Sequence, residues 1–469
     1  MLISTVLALA IVTQNQTPMR ASPREASPQQ ALLWQGDALE IRGQTMDYLQ
    51  VYDHRRERAG YIKISQARAI SLDPNSAPEL LSVVRFLRDT PGAEALGVSY
   101  AAAYLKSVPA AALTAEPFDA LGEMADRLAH RASTNQIKAN ESALTAHLEV
   151  VAQYGVVMNS FDVGGVVRVC YDGDMFRHVL QMPSADNAQR ARAALGLTRH
   201  ECVDPNIGPT GRYKWDQWRA DILDSVTLNG LTQEQRGHLR LRRAGVWAAL
   251  AYQQSRRGES PQSAAVRALQ ELASVNKSEL SDDDRLEYTD AAIRVGASRW
   301  AAQTARQPAG NLTVVTQPGA AGEICVLLQD ARHDTQDPLL KRCTYAMVWV
   351  ASASSNPAGT MLTLAVQPFD TWREMWVFRK TYGGWTCDVI PPGESTADSG
   401  YVEFAGWIPG TDRILTAREI NTDGHFSRRF EIMNLESLAV EHHATTPEYL
   451  TAFLRWQDPS WKQQTVAVR

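Results

Sequence analysis

The sequence predicts a multidomain α+β protein: a small β module first, a central α-helical array, and a C-terminal antiparallel all-β domain built as a sandwich or an open, twisted sheet. Three observations predict it. Strict apolar alternation marks residues 38–42, 48–52 and 60–64 as strands. Ala-rich segments with apolar residues at i, i+3 and i+4 fill the stretch from Ser76 to Gln307. After Gly310, short apolar runs return about every ten residues with Gly, Pro, Asp and Asn between them, the pattern of an all-β domain. A chain of 469 residues exceeds one ordinary core and suggests two to four domains.

Residues 2–12 (LISTVLALAIV) form an apolar run with a small-residue Ala8-Leu9-Ala10 site, the layout of a secretory signal peptide, although no Lys or Arg precedes it. The run is too short to span a bilayer, which takes about 20 residues, and no later stretch is long and apolar enough. Residues 1–13 therefore read as a signal-like segment and 14–31, rich in Gln, Ser, Pro, Thr and Arg, as a disordered linker. Periplasmic or secreted localisation follows, with no transmembrane span. The cysteines suit that compartment: Cys170 with Cys202 and Cys325 with Cys343 are disulfide candidates, each bridge worth about 3 kcal/mol, with Cys387 left over. Connectivity stays open at this level, and free thiols in a reduced protein are the alternative.

The string ALEIRG, followed by YLQVYD, a basic turn and AGYIKISQARAI, resembles the bacterial SH3-like (SH3b) module over residues 32–72. Leu39, Ile41 and Arg42 sit at its first motif, Tyr48 and Val51 at its second, and Gly60 and Tyr61 at its third; the stretch between the first two motifs is shorter than in the family. The resemblance implies an envelope binding module for a cell-wall component or an envelope protein, with Tyr48, Tyr52 and Tyr61 as ligand contacts.

The helical domain is bounded at 73–310, with helices expected at 79–87, 93–108, 118–132, 141–154, 185–195, 239–256, 261–273 and 283–305. Asp282 or Asp283 is expected to cap the last, because a carboxylate there meets free backbone N–H groups. No 34-residue period is present, so a helical repeat is not fixed.

The β domain is bounded at 311–445, with strands expected at 312–316, 324–328, 344–351, 361–367, 374–379, 385–390, 401–407, 413–420, 428–433 and 439–443. FAGWIPGTDRILTAREI followed by RRFEIMNLESLAVEHH is similar to one TolB-like propeller blade near 401–443, with Trp407, Pro409, Gly410 and Ile414 at the matching places. Some 135 residues are too few for a closed propeller of four blades of about 40 residues. Of the 12 tryptophans, Trp372, Trp376 and Trp407 are candidates for an aromatic platform, with core packing as the plainer role. Residues 446–469 form a C-terminal amphipathic tail.

Motifs for chemistry fall short. Gly393-Glu394-Ser395-Thr396-Ala397 mimics a nucleophile elbow without its flanking strand and helix, and Ser274-Val275-Asn276-Lys277 fits SxxK without partner motifs. Ten histidines give no HxxxH or HExxH, and His442-His443 point to opposite faces of a strand. The acidic stretches 171–174 and 281–284 lack the 12-residue ligand pattern of a calcium loop and read as turns or caps. Neither GxxxxGK[ST] nor GxGxxG occurs. A net charge of −5 gives no support for a nucleic-acid partner, and the Arg236, Arg240, Arg242 and Arg243 group with His238 reads as a solvated helix face. No catalytic residue, metal ligand or cofactor is assigned. The expectation is an exported envelope binding or scaffold protein, non-enzymatic, of unknown ligand and oligomeric state; the alternative is a periplasmic hydrolase or other substrate-processing enzyme. The chain as a whole resembles uncharacterised exported proteins of Gram-negative bacteria.

Overall fold

The computed structural model describes residues 8–134, 138–163, 165–303, 311–393, 399–459 and 461–462. The chain is α+β and divides into two compact units, one running to Gly208 with Ser225–Leu231 added, the other holding Pro209–Asp224 and everything from Thr232. The helical stretch expected as one domain is shared between them.

The first unit opens with a seven-stranded antiparallel sheet: β1 (Ala8–Val12), β2 (Thr17–Arg20), β3 (Gln29–Leu33), β4 (Ala38–Thr45), β5 (Tyr48–Asp53), β6 (Arg58–Lys63) and β7 (Ala67–Ser71), in the order β3-β2-β6-β5-β4-β1-β7. Its core takes Ala10 and Val12 from β1, Met19 from β2, Leu33 from β3, Leu39 from β4, Leu49 and Val51 from β5 and Ile62 from β6, so the sheet curls around one apolar centre.

Two sequence expectations change here. The described half of the signal-like run is β1, hydrogen-bonded to β4 on one side and β7 on the other. Residues 14–31 hold β2 and β3 rather than a disordered linker; Thr17 and Met19 alternate inward, and polar residues face out.

Helices α1 (Ala77–Arg88), α2 (Glu94–Ser107), α3 (Glu116–Thr134) and α4 (Lys138–Ala152) follow, then a hairpin of β8 (Met158–Val163) and β9 (Val166–Tyr171), α5 (Asp174–Gln181) and α6 (Asn187–Leu197). The fully buried Glu94 pairs with Arg127 (2.8 Å) and Arg131 and joins α2 to α3. Asp119 and Glu123 of α3 meet Arg192 of α6 at 2.5 and 3.0 Å. Cys170 at the end of β9 is bonded to Cys202. The sheet seats on these helices at Gly36, whose added Cβ would stand 2.6 Å from the Ala95 carbonyl and whose φ is +97°, both reasons for glycine. The Tyr154 hydroxyl donates to the Gly36 carbonyl (2.7 Å), and Arg55 reaches Glu149 (2.9 Å). The basic turn therefore serves as a docking element: Asp53 accepts from the backbone N–H groups of Arg55 and Arg56 and pairs with the Arg56 guanidinium.

The second unit begins with α7 (Pro209–Asp224), α8 (Gln233–Arg256), α9 (Gln262–Ala273) and α10 (Asp282–Ser298). Reciprocal caps start two of them, Thr232 with Gln235 and Ser281 with Asp284, so Ser281 takes the capping role expected of Asp282 or Asp283. Small residues (Ala244, Ala248, Ala268, Ala291, Ala292) let α8, α9 and α10 pack closely.

Three antiparallel groups follow. The first is β10 (Thr313–Pro318), β11 (Ile324–Gln329) and β12 (Leu340–Thr344), with Cys325 bonded to Cys343 directly across β11 and β12. The second is a meander of β13 (Met347–Ser355), β14 (Met361–Phe369), β15 (Trp372–Thr381) and β16 (Gly384–Ile390); the third is a meander of β17 (Ser399–Trp407), β18 (Arg413–Thr422), β19 (His425–Asn434) and β20 (Val440–Ala444). Among the described residues the strand pairing between the two meanders is parallel and runs over Trp372 with Gly400 and Arg373 with Tyr401. One apolar layer (Val326, Leu328, Leu362, Leu364, Phe378) lies between the first and second groups, another (Met375, Val377, Val402, Ile414, Met433) between the second and third. The arrangement is three stacked β layers. Helix α10 abuts them: a Cβ on Gly296 would stand 2.4 Å from the Tyr401 ring, and the fully buried Arg373 donates to the Gly296 carbonyl (2.7 Å) while facing Glu403 (3.6 Å), which also pairs with Arg299. Helix α11 (Thr451–Trp456) closes the described chain against the last meander. No helix among the described residues is long and apolar enough to cross a membrane.

Candidate binding cavity

An open cavity of about 340 Å³ lies in the second unit beside the last meander, where β19 meets residues 445–457 and 461–462. Its floor is built from three distant places in the chain. Phe430 comes from β19, Phe453 from α11 and Trp461 from the helical residues beyond it, all under 5% exposed. Phe430 meets the other two rings edge to face, Phe453 at 5.6 Å and 85° and Trp461 at 6.3 Å and 80°, while Phe453 and Trp461 are tilted at 59° and 5.7 Å. Such contacts fix the rings as well as filling space.

Local geometry holds the segment in place. Its chain crosses β17 where Gly406 lies, and a Cβ there would stand 2.3 Å from the Trp456 carbonyl oxygen. The Asp458 N–H donates to the Ala405 carbonyl (2.7 Å), and the Asp458 carboxylate accepts from the Trp461 N–H (3.1 Å). Polar groups ring the mouth: the hydroxyls of Thr445 and Thr446, Glu448, Gln457, Arg428 and Lys462. Arg428 is tied to the buried Glu419 (2.7 Å), whereas Lys462 is exposed and pairs with no carboxylate among the described residues. Glu448 is the single carboxylate among the lining residues, which include no His, Cys or Ser. The wall therefore offers apolar contact, hydrogen bonds and positive charge, but no nucleophile held by a base.

The residues singled out in the sequence do not gather into a site. Tyr48, Tyr52 and Tyr61 do share the outer face of the first sheet, opposite its core. That face is not an open platform, because Tyr48 is 4% exposed and the Arg42 guanidinium covers the Tyr52 ring at 3.9 Å. Trp376 is core, between the first and second β layers. Trp407 stacks on Phe404 and donates its indole N–H to Ser354 (3.2 Å), and Trp372 is half-buried where the meanders join. The cavity residues went unread because only the amphipathic tail was visible in sequence, not the β19 aromatic it covers.

The remaining motifs take structural roles. Asp172 accepts from the Asp174 N–H and holds Arg177 at the start of α5; Ser274 ends α9, and Lys277 lies over the Tyr288 ring. Residues 394–397 of the elbow-like motif lie outside the described residues. Glu323, Cys325 and Cys343 bring three donor atoms within 4.8 Å of one another, but the two sulfurs are spent on their mutual bond. Cys387 stays a thiol, pushed up to about 11 by burial. No protein-family model, curated protein or solved structure matches the chain.

Proposed function

We propose that the protein is an extracytoplasmic binding or scaffold protein of the cell envelope that holds a ligand in the aromatic-floored cavity of its second unit. The cavity carries the reading: its size lies in the range of small-ligand sites, about 300–1,000 Å³, and its walls bind without supplying a catalytic pair. The compartment rests on the two disulfides, which persist in oxidising surroundings; the apolar N-terminal run no longer supports it, since half of that run is needed as β1. The curled first sheet is compatible with an SH3b-like module, and the four-stranded meander over 399–444 with a TolB-like blade, both families of envelope modules. An envelope protein or cell-wall component is the proposed partner.

Calorimetric titration of the disulfide-bonded chain with cell-wall fragments and envelope-protein peptides tests the reading. Saturable binding without turnover, lost in Trp461→Leu, supports it. Release of products from a bound peptide or ester would move the protein to the substrate-processing alternative, and retention of binding in Trp461→Leu would take the site elsewhere.

A further inference from the structure

The turn that leads into β11 carries chemistry separate from the cavity. We infer that Glu323, Cys325 and Cys343 form a redox-gated metal site: the closed bridge bars the ion, and after reduction the two thiolates and the carboxylate bind one zinc-like divalent cation. Cys325 and Cys343 are direct partners in the β11–β12 ladder, so both side chains leave the same face of the sheet. Glu323 lies two residues before Cys325 and shares that face, opposite the one that Val326 and Leu328 bury. Their three donor atoms already lie within 4.8 Å of one another. A tetrahedral zinc, with bonds of about 2.3 Å to sulfur and about 2.1 Å to oxygen, spaces such atoms about 3.5–3.8 Å apart, so they need move little.

The carboxylate is aimed. Its Oε2 accepts from the Ala320 N–H (3.0 Å), and the backbone of the same turn closes through Gly319 N–H to the Glu323 carbonyl (3.0 Å) and Glu323 N–H to the Ala320 carbonyl (2.8 Å). Gly319 permits the approach: a Cβ there would stand 2.5 Å from the Glu323 oxygen and 2.9 Å from the Cys325 sulfur. Among the described residues no cation pairs with Glu323, so its charge is not spent on an ion pair. The ladder does not hang on the bridge either. Ile324 with Thr344 and Val326 with Arg342 flank it, and the burial of Val326 and Leu328 keeps the two cysteines opposite each other once they are thiols. Two thiolates and one carboxylate suit zinc, with the fourth position left to water.

The gate is thiol–disulfide exchange. A dithiol supplies two electrons and two protons, the bond between Cys325 and Cys343 breaks into two thiols, and the dithiol closes into its own disulfide. The entering cation then displaces the two thiol protons and gains two sulfur bonds. Ala320, Ala321 and Gly322 are exposed and Glu323 and Cys343 half-buried, which gives reductant and ion a way in.

The experiment titrates Co²⁺ into the full chain, oxidised or reduced with dithiothreitol that is then removed under nitrogen. Co²⁺ reports tetrahedral thiolate ligation by its visible and charge-transfer absorption. One Co²⁺ per reduced chain is expected, displaced by Zn²⁺, with none in the oxidised chain and the native Trp emission kept. Glu323→Gln should weaken binding about tenfold or more. Cys325→Ser with Cys343→Ser, which keeps Cys170, Cys202 and Cys387, should abolish the absorption. No uptake by the reduced chain, equal uptake by the oxidised chain, or the same spectrum in the double serine variant would each overturn the site. Unchanged affinity in Glu323→Gln would overturn the three-donor assignment, and collapse of the Trp emission on reduction would overturn the gate. None of these outcomes bears on ligand binding in the cavity.

Discussion

The two units hold a histidine in opposite ways. In the first, His147 of α4 is 4% exposed; its Nε2 meets the Asn15 side chain at 2.8 Å and its Nδ1 has no partner. Burial, and secondarily the Arg131 charge, hold it below the ordinary imidazole value, which favours the neutral ring. In the second, His238 of α8 is gripped on both ring nitrogens, by Asp284 at 3.0 Å and Glu287 at 3.1 Å. The hydrogen bond to Glu287 raises it most, with Coulombic help from Glu287, Asp284 and Glu234 against desolvation. One environment favours the uncharged ring and the other the imidazolium. A histidine inside a fold is therefore not one kind of object; its neighbours decide which protonation state is favoured.

The largest effect sharpens the contrast in buried charge. Glu403→Gln should cost the second unit about 3–5 kcal/mol, because it removes the buried negative charge that faces Arg373 and pairs with Arg299. Eleven of the 12 tryptophans belong to that unit and only Trp34 to the first, so the urea midpoint by Trp fluorescence reads the loss. An unchanged midpoint breaks the claim. Next, Cys170→Ser with Cys202→Ser should cost the first unit about 3–4 kcal/mol by loop-closure entropy. Calorimetry should show one transition falling while the Trp-reported one stays.

Smaller, and more diagnostic, is the pH response. His147 is lowered in the folded state, so its contribution is complete above about pH 6.5 and is lost as pH falls through the folded value. His238 is raised, so its contribution is complete below about pH 6.5 and is lost as pH rises through the folded value. Near neutrality these groups pull the two units in opposite directions. His147→Gln and His238→Gln should each remove the slope of its own unit alone in thermal scans at several pH values; slopes of one sign in both units sink the comparison. The smallest expected effect is Thr232→Ala, about 1 kcal/mol or less on the second unit, since it removes one side of the cap that starts α8.

Periodicity carried much of the architecture. The short apolar runs at 361–367 and 374–379, bounded by turn residues, became β14 and β15, which are buried on both faces over much of their length, and the apolar stripe at 118–132 became α3 with its one buried face. The misses share a cause: burial too sparse or too uniform to show a period. β2 buries only Thr17 and Met19, β3 only Leu33, and α7 hides Asp216 and Arg219 as an ion pair inside a polar sequence. The run around Ala8–Val12 is apolar throughout, which a leader and a strand between two others share. Of the site, the tail's amphipathic pattern was legible, but Phe430 joins Phe453 and Trp461 only through tertiary packing.

The place of β1 bears on how the chain is made. This strand leaves the ribosome before its partners on either side, residues 38–40 and 67–71. At about 5–20 residues per second the wait for β7 is on the order of 3–12 s. Through that interval a sticky, unpaired stretch of Ala, Leu, Ile and Val is open to the factors that meet nascent chains, whatever the finished protein later does with it.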